Sequence, residues 1–142
     1  MNGNFGRAVI GGLIGTAVMT MVGLFGAPMM DLAPMNPTKI LAGAMGGNLM
    51  LGWGGHVMIG VILALGYAQV GSILPGPGVA RGAIYSIAPF LMAQIVVMPM
   101  MGMPLFSGSV PMAMGSPIGH VMYGAVLGGI YGEVRAEQAA AT

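Results

Sequence analysis

The sequence predicts an all-α membrane protein. Four transmembrane helices form two parallel two-helix repeats, and a short interfacial helix lies in the first outer loop. Three observations predict this. First, 56% of the 142 residues are hydrophobic and 5% are charged, with a mean hydropathy of +0.90. A soluble domain carries about 25% charge, so this chain has too few charges to cover a water-facing globule. Second, four continuously apolar segments follow one another, each close to the about 20 residues that cross a hydrocarbon core of about 30 Å. Third, one phrase occurs twice. Gly55-His56-Val57-Met58, followed by Gly60, Leu63, Tyr67 and Val70, returns as Gly119-His120-Val121-Met122, followed by Gly124, Leu127, Tyr131 and Val134.

The expected spans are residues 8–27, 49–70, 82–101 and 117–134 of a single membrane domain, 1–142. The runs are apolar throughout rather than alternating, which selects helices over a closed barrel. Arg7 followed by an apolar run resembles a signal peptide with cleavage near Ala27. The run continues to Met30, however, and three more apolar segments follow, so it reads as a span. In the first outer loop Asn36 followed by Pro37 is a helix start, which predicts a short helix over 37–45 lying at the interface. Ser116-Pro117 reads as a similar start for the fourth span. Pro89 and Pro99 lie inside the third span and predict kinks. Leu74-Pro75-Gly76-Pro77-Gly78 is a tight turn between the halves, repeat 1 covering about 7–73 and repeat 2 about 81–135. The polar, Ala-rich tail from 135 onward reads as a frayed helical extension.

With four spans, Arg7, Arg81 and Arg135 fall on one side and Lys39, beside Asp31, on the other. The positive-inside rule then places both termini in the cytoplasm. An even number of spans per repeat makes the repeats parallel.

Composition also excludes functions. A net charge of +1 with no basic run argues against nucleic-acid binding. No cysteine means no disulfide and no thiolate chemistry. The only carboxylates are Asp31, Glu133 and Glu137, so no paired acid–base or triad arrangement is available. Few polar groups lie in the spans, which gives a transporter little path. Trp53, Tyr67 and Tyr131 read as interface aromatics.

His56 and His120 are the only imidazoles, and each tops a stripe of small residues at helical spacing. One stripe is Gly52, Gly60, Ala64; the other is Gly124, Gly128, Gly132; the first span offers Gly12. Such stripes let helix backbones approach closely in lipid, where packing drives association. On one reading the histidines hydrogen-bond across the bundle to a backbone carbonyl, a threonine, Gln94 or a tyrosine and hold the helices together. On a second reading they form a two-fold ligand pair, for haem b or for copper. Met98, Met100, Met101 and Met103 cluster at the outer end of the third span, and thioether sulfur suits Cu(I). Methionine is also an ordinary apolar gap-filler.

The Gly-rich first span, the Met-rich outer loop ending Leu51-Gly52-Trp53 before His56, and the third span ending Val96-Val97-Met98-Pro99-Met100 resemble small four-span bacterial proteins of the DUF6789 type. The resemblance covers nearly the whole chain and implies a small bacterial inner-membrane protein, supplying a fold without assigning catalytic residues. Together these readings predict a non-catalytic membrane subunit, without a cofactor, that packs in the lipid bilayer against other integral membrane subunits or itself. It would be accessory to a respiratory or other membrane complex.

Overall fold

The computed structural model describes residues 4–32 and 34–140, with side chains up to 132. It is 84% helix, without strands among the described residues. We number five helices: α1 Phe5–Met29, α2 Pro37–Ala44, α3 Leu49–Val70, α4 Gly78–Met100 and α5 Val110–Ala140. A 3₁₀ turn, Gly71–Ile73, extends α3. Asparagine starts three of these helices by accepting backbone N–H bonds that have no intrahelical partner. Asn4 serves Arg7, Asn36 serves Thr38 and Lys39, and Asn48 serves Met50 and Leu51.

α1, α4 and the extended α3 are long and apolar enough to cross a membrane. α5 is longer still, but Gly, Pro, Ser and His dilute its apolar character.

Prolines account for most departures from the expected boundaries. Pro117 does not start the fourth long helix; α5 begins at Val110 and carries Pro117 inside. The third long helix starts at Gly78 rather than Gly82, which puts Arg81 in its first turn. In place of a simple kink at Pro99, α4 widens into a π-helical stretch, Ala93–Val97, and α1 does the same at Val22–Gly26. Each stretch directly precedes an X-Pro-Met segment: Ala27-Pro28-Met29 and Met98-Pro99-Met100. A proline has no N–H to give, and its ring crowds the carbonyl one turn back. The wider register relieves that crowding, with the N–H of Ala27 reaching Val22 and that of Met98 reaching Ala93. Both helices then stop alike. Leu32 N–H returns to Ala27 across left-handed Asp31 (φ 57°), and Met103 N–H returns to Met98 across Gly102 (φ 78°).

The packing follows the small residues. α1 lies between α3 and α5, α4 packs on the far side of α5, and α2 covers the start of α3. A Cβ placed on Gly12 would stand 2.6 Å from the Ala64 Cβ, and one on Gly60 would strike the Thr16 hydroxyl. On the other side, Gly82 and Gly78 meet Gly124, Gly128 and Gly132 backbone to backbone. A Cβ on Gly52 would strike the Thr38 carbonyl of α2. The starts of α1 and α4 therefore share one end of the bundle with the ends of α3 and α5.

Burial is inverted relative to a water-soluble core. Thr16, Thr20, His56, Ser86 and Gln94 are buried, whereas Ile10, Ile62, Ile87, Met92 and Ile95 are exposed. Four tyrosines line the interior. Tyr123, Tyr85 and Tyr131 donate to the α3 carbonyls of Gly60, Leu63 and Ala68 at 2.6, 2.8 and 3.1 Å. Each carbonyl has a second lone pair for such a bond. Tyr67 is 1% exposed, with its ring edge-on to Tyr85 and Tyr131. Tyr67 is thus an internal brace rather than an interface anchor, and half-buried Tyr131 ties α5 to α3. Trp53 faces outward.

Candidate functional site

The two histidines occupy matching places with different neighbours. On α1, threonines make a ladder: Thr16 Oγ1 donates to Gly12 O at 2.7 Å, and Thr20 Oγ1 donates to Thr16 O at 2.8 Å. A helical threonine readily bonds back in this way. Thr20 Oγ1 also stands 3.1 Å from His56 Nε2. A hydroxyl has one proton, and Thr20 has used it on Thr16. His56 Nε2–H is therefore the donor, and in the neutral ring Nδ1 keeps its lone pair.

His120 has the opposite tautomer. Its Nδ1 is 2.9 Å from the Ser116 carbonyl. A carbonyl only accepts, so Nδ1–H donates and Nε2 keeps the lone pair. Where Thr20 faces His56, Phe90 of α4 faces His120, edge-on at 5.6 Å.

Nearby, Gln94 is 2% exposed. Its Nε2 donates to Ser116 Oγ at 2.9 Å, and its Oε1 accepts from Ser107 Oγ at 3.1 Å. This fastens α4 to α5 and to the Leu105–Gly108 turn, whose Phe106 and Ser107 both have positive φ. Gln94 thus links serines, although the sequence suggested it as a histidine partner.

Both histidines line one cavity of about 150 Å³, walled by α1 to α5 and mostly apolar. Met98 and Met101 line it with them. Met100 is 82% exposed and Met103 does not line it, so the expected methionine cluster divides. Met19, Met30, Met35 and Met112 reach the same space from other elements. Met19 was not legible as a candidate, because nothing local distinguishes one apolar residue of a span from the next.

Haem does not fit. A cavity of about 150 Å³ holds a molecule the size of benzene. A porphyrin is several times larger, and glycine-mediated helix contacts leave no slot for it. Among the described residues no three His, Cys, Asp or Glu come together to hold a metal.

An all-helical chain with three helices long and apolar enough to span is of the kind found in multi-pass membrane proteins. It belongs to a family of unknown function, DUF6789, whose sequence pattern matches residues 3–142. No curated protein and no solved structure is similar enough to match.

Proposed function

We propose that this chain is a non-catalytic integral membrane subunit that packs against other membrane subunits or against itself. In this reading it serves a larger bacterial membrane complex, a respiratory one being the type we favour. α5 is the fourth span, and the two halves are parallel repeats with both termini cytoplasmic. The matching π-helical stretches, the shared Pro-Met-Met phrase after them and the paired histidines support a duplication. Arg7 and Arg81 near the starts of α1 and α4 support the orientation.

The observation that carries the packing role is the outer face of α4. Only Gly82, Ser86, Pro89 and Gln94 of this helix are buried, while Ile84, Ile87, Leu91, Met92, Ile95 and Val96 face outward. Lipid or a neighbouring apolar helix satisfies such a face equally well, so association rests on shape and not on hydrophobicity. The test is photo-crosslinking from Ile87 and Ile95 in native membranes. Discrete protein adducts are expected from these sites and none from buried Ser86. Lipid adducts alone from both α4 sites would overturn the reading.

A further inference from the structure

We propose that the cavity between His56 and His120 is a binding site for one Cu(I) ion, held by imidazole nitrogen and methionine thioethers. The inference does not depend on the packing role above.

Two observations carry it. Each histidine has one nitrogen committed to the protein and one lone pair without a hydrogen-bond partner among the described residues. The committed atoms are His56 Nε2 on Thr20 and His120 Nδ1 on Ser116. Fixing one nitrogen and leaving the other free is how proteins orient an imidazole for a metal. Independently, thioethers converge on the same space from separate elements. Met98 comes from the end of α4 and Met101 from the turn just after it, Met19 from α1 and Met35 from the first outer loop. Met19 also reaches the α5 backbone next to His120, since a Cβ on Gly119 would meet its Cγ at 3.3 Å, and Met35 reaches α5 more than a turn earlier, where a Cβ on Gly115 would meet its sulfur at 2.7 Å.

The donor set selects the ion. Thioether sulfur binds Cu(I), and imidazole accepts it as well. A dication in an apolar cavity needs an anionic partner, because burying a bare charge is costly. The cavity is lined by no Asp, Glu or Cys, so Zn(II) and Cu(II) lack a neutralising ligand there. A monovalent ion with neutral ligands avoids most of that cost.

The test uses the full chain in lipid nanodiscs, titrated anaerobically with Cu(I) against the chelator bicinchoninate. One Cu(I) per chain is expected, with both sulfur and nitrogen neighbours by X-ray absorption. Met98→Leu/Met101→Leu keeps side-chain volume, so this variant is expected to fold while its affinity falls at least tenfold and its sulfur signal weakens. His56→Gln/His120→Gln is expected to lose the nitrogen signal, and either single variant to weaken it. If the chelator strips the wild-type protein, the proposal fails. It also fails if the folded methionine variant binds as tightly as wild type, because Met98 and Met101 would then not be ligands.

Discussion

Thr20 and His56 meet at 3.1 Å across the α1–α3 contact, and the direction of that bond is set one turn away, where Thr20 donates to the Thr16 carbonyl. A side-chain ladder on one helix thereby chooses the tautomer of a histidine on another.

Thr20→Val removes the acceptor while keeping the shape. It leaves a buried imidazole N–H unpaired, which costs about 1–3 kcal/mol in water-soluble proteins, whereas interhelical bonds within a bilayer average about 0.6 kcal/mol. We expect a loss of about 1 kcal/mol and a much smaller loss for Thr20→Ser. Reversible unfolding in mixed micelles measures both, and a Thr20→Val protein as stable as wild type would show the bond to be idle.

The close approach of α4 and α5 predicts a contrast between two glycines. A Cβ on Gly82 would strike the Gly124 carbonyl, so Gly82→Ala is expected to cost about 1–3 kcal/mol by overpacking. Gly54 has open space around it, and Gly54→Ala should be neutral or gain up to about 1 kcal/mol from helix propensity. Thermal denaturation of both variants should separate them clearly; equal midpoints would mean that α4 and α5 are not in contact.

Gln94→Leu breaks the link to Ser116 and Ser107 while leaving volume nearly unchanged. Its effect should be local, with the Leu105–Gly108 turn exchanging amide hydrogens at least tenfold faster and the α1–α3 contact unaffected. Exchange read by mass spectrometry decides this, and uniform protection of the turn would contradict it.

Among the tyrosines, Tyr123→Phe should be costlier than Tyr131→Phe. The Tyr123 bond to Gly60 O is shorter, 2.6 against 3.1 Å, and more deeply buried. We expect losses near the upper and lower ends of the roughly 0.5–1.5 kcal/mol typical of a hydrogen bond. The reverse order in unfolding measurements would refute the ranking.

The absence of cysteine makes topology directly readable, because any introduced thiol is the sole label site. Ala44→Cys and Ser109→Cys are expected to react with an impermeant maleimide on intact cells. Ser72→Cys should react only after permeabilisation. Labelling of Ser72→Cys from outside would reverse the orientation, and opposite behaviour of Ala44→Cys and Ser109→Cys would break the four-span topology.

Much of the fold was legible because its signals are local. Asn36-Pro37 marks α2, since a cap acts within one turn, and the apolar run from Leu49 marks α3, whose Asn48 cap the structure added. The glycine stripes were legible from helical spacing. The in-helix roles of Pro28 and Pro117 were not, because a proline that starts a helix and one absorbed within it look alike in sequence. Met98 and Met101 separated from Met100 and Met103 only in three dimensions, where the end of α4 and the Gly102 turn decide which of them reach the cavity.

By itself the sequence determined an apolar, all-helical chain and the repetition of His56 as His120, because composition and spacing are properties of the chain alone. Only the tertiary structure decided that Thr20 faces one histidine and Phe90 the other, and that both imidazoles share one cavity with Met98 and Met101. Those relationships depend on how far each helix is rotated and displaced along its neighbour. That register is set by glycine contacts between segments distant in sequence, and no local pattern encodes it.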